Sequence, residues 1–279
     1  MRLSSAIARG PVMAAPYAGD FGVFQWQCIY AKVYISATGC GCAKGALPPS
    51  SLPGVIMLKV FNDFERRPDL LARFDQLLPT YSISCIFADV MYRQNVMHSS
   101  IKPAFRAKVT GQAITVQLSG GDLVDPLRAL EMGHPGDVIC VDAGGDTEVS
   151  VCGGLMGGLA KNRGIRGMIV DGAGRDIDEL EDINWPIWTR AITPRGTHTM
   201  FSARKEELSI NVPIACGGVI VKPGDFIVAD TIGVCVVPLE RAEEFLALAD
   251  EQAEREKNTR AWVLQGKTVE DLLAEFGRI

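Results

Sequence analysis

Histidine is scarce in this chain, and the few present are scattered. Only His98, His134 and His198 occur in 279 residues. None has a partner at metal-ligand spacing, so they read as surface or structural residues. The eight cysteines contain no Cys-x-x-Cys pair and no Cys/His cluster, which argues against zinc. Cys40-Gly-Cys42 stands too isolated to define a site. There is no basic block, and the formal net charge is −5, which argues against an extended nucleic-acid surface. No apolar run approaches the ~20 residues that span a bilayer. A P-loop is missing, because Lys161 lacks the preceding glycine pattern and the following Ser or Thr. A dinucleotide fingerprint of the form GxGxxG is missing too.

What is present is a core. The hydrophobic fraction is 47%, ample for a globular protein and far from a disordered composition. Cys140, Cys152, Cys216 and Cys235 sit among Val, Ile and Gly, where a free thiol behaves as a small buried hydrophobe. Reduced thiols point to a cytoplasmic protein.

Residues 1–56 differ from the rest. The first twenty have a weak signal-peptide look, but Arg9 and Gly10 interrupt the apolar region. A breaker-rich stretch, ATGCGCAKGALPPSSLPG, then reads as linker or disorder. The segment is expected to be a poorly ordered N-terminal extension, with Met57 as an alternative start and residues 57–279 as a single domain.

Beyond Phe61 the pattern is orderly. Helices are expected over Pro68–Leu78, Ser82–Met91 and Val124–Met132. FRAKVTGQAITVQL reads as two short strands around Gly111, and PGDVICVDAGG as a turn, a buried strand and an Asp-Gly turn. After an acidic helical turn (residues 177–183), Pro186–Ala191 reads as a strand and residues 195–209 as a polar loop. CGGVIVKPGDFIVADTIGVCVVP gives three short β runs separated by PGD and DTIG turns. A long helix follows, roughly Glu240–Leu264, and then a short one from Thr268. The second half of the long helix has almost no apolar stripe and is expected to project onto solvent or a neighbouring subunit. Strands alternating with helices indicate an α/β sheet layered with helices.

The stretch GGLMGGLAKNRGIRGMIVDGAGRD, residues 153–176, organises the chain. A glycine-rich turn opens a helix, whose free N-terminal amides can hold a carboxylate or phosphate. Met168, Ile169 and Val170 then form a short strand, followed by a loop, DGAGRD, that presents Arg175 and Asp176. A fixed cation and an oxygen ligand side by side suit a small acidic molecule and a divalent metal. The bland readings are glycines that permit close packing and a surface salt bridge. Lys161 lies in a polar KNR run, so it reads as solvated rather than as a Schiff-base lysine.

From about Phe61 onward the chain resembles the RraA-like family. The matching elements are PGDVICVDAGG, G-x-L-M-x-x-x-A-K-x-R-G, G-M-I-V-D-G-A-G-R-D, GGVIVKPGDFIVAD and GVCVVP, in order along more than two-thirds of the chain. The resemblance implies an α/β/β swivelling-domain fold with a long C-terminal helix. It also implies a ring-shaped homo-oligomer, a trimer or hexamer, with sites between subunits. The family's catalytic members are aldolases that cleave 4-hydroxy-2-oxo acids, releasing pyruvate, with Mg²⁺ or Mn²⁺ as cofactor; oxaloacetate decarboxylation would draw on the same chemistry. By this resemblance Gly153, Gly154, Leu155 and Met156 bind the pyruvyl carboxylate, Arg175 binds substrate and takes the catalytic role, and Asp176 holds the metal. A neighbouring subunit's glutamate would match Glu254 or Glu256. The family also holds a non-catalytic regulator that binds ribonuclease E. That branch has Gln where this chain has Asp176, so Asp176 favours the enzyme. Gly174 and the pair Gly157-Gly158 replace bulkier residues of the family, departures that bear on substrate identity.

Overall fold

Strands that are buried on both faces read as unbroken apolar runs, and the centre of this molecule is built from two of them. In the computed structural model, which describes residues 64–118, 124–197 and 209–277, β3 (Asp137–Asp142) and β5 (Gly167–Gly174) pair in parallel in an eight-stranded sheet. Along β3 the side chains alternate. Ile139 and Val141 join one core cluster, while Val138 and Cys140 join the cluster on the opposite face.

β3 pairs on its other side with β2 (Val109–Gln117), and β5 with β6 (Ile187–Ile192), all in parallel. A short β1 (Lys102–Pro103) closes one edge, antiparallel to β6. β9 (Phe226–Ala229) and β10 (Val234–Val237) extend the other edge, antiparallel beyond β2. The order is β1-β6-β5-β3-β2-β9-β10, with β4 (Ser150–Cys152) added alongside the end of β5.

Helices α3 (Val124–Met132), α4 (Gly154–Asn162) and α5 (Ile177–Asp182) cover one face, contributing Leu130, Met156, Ala160 and Leu180 to its core. A two-stranded hairpin, β7 (Ile214–Cys216) with β8 (Val219–Val221), covers the other through Ile214, Cys216 and Val221. This is the helix/sheet/strand layering expected. Helices α1 (Pro68–Leu77) and α2 (Ile83–Val90) pack with the start of α6 (Ala242–Leu264) around Phe74, Phe87 and Phe226. A short α7 (Val269–Phe276) ends the chain, entered through a capping box at Thr268. Every buried residue of α6 lies in its first half, from Ala242 to Gln252, so its second half has no core to join. The expectations for residues 1–56 fall outside the described residues.

Two expectations are corrected. FRAKVTGQAITVQL holds one continuous strand, β2, rather than two around Gly111. A Cβ on Gly111 would lie 2.5 Å from the Gly136 carbonyl oxygen and 2.6 Å from Val138 Cγ2, so this glycine serves close approach to β3, not a turn. Likewise the DGAG of DGAGRD is strand, not loop. β5 runs to Gly174, with Ala173 paired to Ser150 on one side and Ala191 on the other.

Candidate active site

Carrying β5 to Gly174 sets Arg175 and Asp176 immediately beyond the end of a paired strand. The Arg175 amide donates to the Cys152 carbonyl at 2.9 Å, locking the β5 exit to the segment that enters α4. Sequence distance therefore collapses: Gly153 and Asp176, at opposite ends of the organising stretch, touch. A Cβ on Gly153 would lie 2.4 Å from Asp176 Oδ2 and 3.1 Å from Arg175 Nε. The Gly154 amide donates to Asp176 Oδ2 at 3.2 Å, and Arg175 Nε lies 3.5 Å from the same oxygen. The structure thus brings Gly153, Gly154, Arg175 and Asp176 together.

The residue at the N-cap of α4, Gly153, has no side chain to accept from the first-turn amides, and Asp176 accepts only from that of Gly154. Gly157 is the first residue to make the helical bond, to the Gly153 carbonyl at 3.0 Å. The Leu155 and Met156 amides belong to the first turn, where a helix has no acceptor of its own to offer. The Met156 side chain is buried in the core beneath, whereas Leu155 is 82% exposed. A carboxylate seated here meets backbone donors, the positive end of a helix and a guanidinium fork.

Asp176 has a left-handed backbone, with φ of 53°, a conformation that L-residues other than Asn and Asp rarely tolerate. It sits there as the residue preceding α5. Arg175 and Asp176 are both solvent-exposed, so the pair gains little stability from its own attraction. Gly196 flanks the guanidinium: a Cβ there would lie 2.7 Å from Arg175 Nη1. Sequence reading missed Gly196, which lies in a stretch read only as polar loop.

Other candidates fall away from this centre. Burial first, and the Asp176 carboxylate second, push the Cys152 thiol up to about 12, so it stays protonated and inert near neutral pH. Lys161 is exposed, and its amine donates to the Ile183 carbonyl. Glu254 pairs with Lys257 at 3.0 Å. Glu256 accepts from Gln252 at 3.1 Å and from Arg260, so both glutamates are engaged along α6 itself. His98 bonds Ser100 Oγ through Nδ1 at 2.9 Å and is exposed, as is His134; His198 lies outside the described residues. Cys85, Cys140, Cys152, Cys216 and Cys235 are free thiols, and all but Cys85 are buried. No helix among the described residues is long and apolar enough to cross a membrane, and none of their His, Cys, Asp and Glu side chains form a metal-holding group of three or more.

Comparison with known proteins bears on the family. The chain is 40% identical over 195 residues to a Halalkalibacterium halodurans protein provisionally named as a 4-hydroxy-4-methyl-2-oxoglutarate aldolase, covering 69% of this chain and 88% of that one. A Thermus thermophilus protein named 4-hydroxy-4-methyl-2-oxoglutarate aldolase is 32% identical over 133 residues, 48% of this chain and 77% of that protein. Among solved structures, Streptomyces coelicolor RraAS2, described as an unusual member of the RNase ES inhibitor RraA protein family, superposes with a TM-score of 0.58 at 28% identity. That match covers 71% of this chain and 98% of RraAS2. The family model described as RraA-like, Aldolase/RraA, matches residues 77–236, more than half of the sequence and all of the site, and the chain belongs to this RraA-like family.

Proposed function

We propose that the protein is a divalent-metal-dependent aldolase that cleaves a 4-hydroxy-2-oxo di- or tricarboxylic acid and releases pyruvate. The observation that carries this reading is the meeting of Arg175, Asp176 and the glycine-opened N-terminus of α4 on one patch. The names of the aldolase relatives support it.

The residues fit a hard cation. The Asp176 carboxylate is exposed, and its only hydrogen bond from a described residue, from the Gly154 amide to Oδ2, leaves Oδ1 open. Mg²⁺ and Mn²⁺ accept such sparse carboxylate sites, because substrate and water complete their shell. When bound, the cation would supply the Lewis acid that polarises the 2-oxo group.

The chain's own groups do the rest. The Leu155 and Met156 amides hold the pyruvyl carboxylate at the helix end. Arg175 presents its planar fork to the 2-oxo oxygen. As the 4-hydroxyl proton passes to solvent, C4 becomes a carbonyl, the C3–C4 bond breaks and the C4 half leaves as a second oxo acid. The bonding electrons then collect as enolate charge on the pyruvyl half, where Arg175 stabilises them. Protonation at C3 completes pyruvate. Oxaloacetate, which yields the same enolate on losing carbon dioxide, is the expected side substrate.

We further propose a homo-oligomer, trimer or hexamer, with the site completed between subunits. Leu155 and Leu159 on α4 and Ile192 at the end of β6 leave an apolar rim exposed around the site, and a neighbouring α6 offers Glu254 or Glu256. The second reading, a non-catalytic protein that binds ribonuclease E, draws on the likeness to RraAS2. Asp176 argues against it, since a binding surface needs no oxygen ligand held in a left-handed backbone.

The test is pyruvate release from a panel of 4-hydroxy-2-oxo acids, with Mg²⁺, with Mn²⁺ and after chelation. Metal-dependent release is expected. Release that survives chelation, or trapping of pyruvate on Lys161 by borohydride, overturns the mechanism. No release from any acid overturns the assignment.

A further inference from the structure

Glu179 belongs to an acidic run, Asp178 to Asp182, that reads in sequence as a solvated helical turn. The structure gives it a different neighbour. It lies in the first turn of α5, three residues after Asp176, the residue that precedes that helix. Its carboxylate comes down on Gly154: an ideal Cβ there would lie 1.9 Å from Glu179 Oε2 and 2.1 Å from Cδ. The amide of that same Gly154 donates to Asp176 Oδ2. Two carboxylates therefore converge on the first residue of α4.

Gly154 is not a glycine for backbone reasons, since its φ is not in the left-handed region. It is a glycine for space, and the Glu179 head group fills that space. No salt bridge among the described residues neutralises Glu179. Both carboxylates are exposed and both reach Gly154, so a divalent cation bound there would meet two negative charges. We propose that Glu179 is a second carboxylate of the cation site, acting beside Asp176, and that Gly154 is the residue that admits it. This rests on the assignment of Asp176 as the metal residue. One or two carboxylates are the usual protein share of a Mg²⁺ shell, so Glu179 completes the set without requiring a third.

The test needs no substrate. Mn²⁺ is titrated into the purified full-length protein, and the free ion is followed by electron paramagnetic resonance. Glu179→Gln is expected to weaken Mn²⁺ binding roughly tenfold, the scale of losing a supporting group at a metal, with an unchanged melting temperature. In Gly154→Ala the new methyl displaces the flexible end of Glu179, so this variant should show a similar loss. The double variant should lose little more, because both changes remove one interaction. Wild-type Mn²⁺ affinity in Glu179→Gln, or full additivity in the double variant, overturns the inference. If Gly154→Ala does not fold, Glu179→Gln alone decides. Asp176→Asn separates the two levels: binding lost there but kept in Glu179→Gln leaves the aldolase reading standing and removes Glu179. Absence of saturable Mn²⁺ binding in the wild type overturns both.

Discussion

Asp171 and Asp176 stand five residues apart in the single motif DGAGRD, and they lead opposite lives. The Asp171 side chain is 7% exposed, accepts from the Gly217 amide at 2.7 Å and pairs with Arg190, which also holds Ser100. The Asp176 side chain is 42% exposed, has a single amide at 3.2 Å, and sits on a left-handed backbone. One carboxylate is buried and satisfied, so its chemistry is spent inside the fold. The other is open, half-satisfied and held on a left-handed backbone. Sequence proximity does not separate these roles. Burial and hydrogen-bond accounting do.

The largest effect should come from breaking the buried member. Asp171→Ala would strand the Arg190 guanidinium and the Gly217 amide, and loss of one partner of a buried pair costs about 3 kcal/mol or more. Urea denaturation should show this as a lower midpoint with an unchanged slope. A midpoint equal to wild type would mean that Asp171 is dispensable to the fold.

Arg175→Lys comes next and should act in kinetics rather than in stability. The ammonium keeps the charge but lacks the planar fork. Enolate charge develops only along the reaction, so kcat should fall roughly 10²–10³-fold while KM changes little. A rise in KM at constant kcat would reassign Arg175 to ground-state binding.

Asp176→Gly sharpens the contrast further. Glycine adopts a φ of 53° without steric cost, so the variant should be more stable than wild type by about 1 kcal/mol. It should also lose saturable Mn²⁺ binding. Gain of stability with loss of function, in calorimetry and metal titration on one sample, would mark Asp176 as held in place for its carboxylate. A destabilised variant would show that the carboxylate's bond to Gly154 matters more than the backbone strain.

Much of this was legible beforehand. The layered α/β architecture followed from apolar runs alternating with helical periods; α1 ends one residue short of its expected bound, and β3 is the buried strand read within PGDVICVDAGG. Arg175 and Asp176 stood out because two charges followed a buried run. The errors share one physical origin: a glycine was read as a local signal when its reason lay across the fold. Gly111 looked like a turn and is a close approach to β3. Gly172 and Gly174 looked like a loop and are strand residues pressed against Ala143 and Ile187. Glu179 was hidden for the same reason, because its partner Gly154 is 25 positions away and only packing joins them. Ile214–Cys216 lay just ahead of the expected β runs, and its three residues show no period of their own.

The smallest effect tests that lesson within a single helix. Three glycines of α4 have three different surroundings. A Cβ on Gly154 meets the movable head of Glu179; one on Gly157 meets Leu180 Cδ2 at 2.3 Å and Trp185 Cε3 at 3.0 Å; one on Gly158 meets nothing within 4 Å. Gly157 is therefore the packing glycine, pressed against a buried tryptophan that cannot yield cheaply, and Gly157→Ala should cost about 1–3 kcal/mol as overpacking. Gly158 sits mid-helix with room to spare and without a left-handed φ. In Gly158→Ala the unfolded chain loses freedom and the helix gains a better former, so stability should rise by roughly 0.5–1 kcal/mol. Pyruvate release should be unchanged. The informative failure is specific. Should Gly158→Ala lower the melting temperature and shift the protein to a smaller species in sedimentation, the open space at Gly158 is filled by a second copy. The exposed Leu155 and Leu159 on the same helix would then mark the face where the subunits meet.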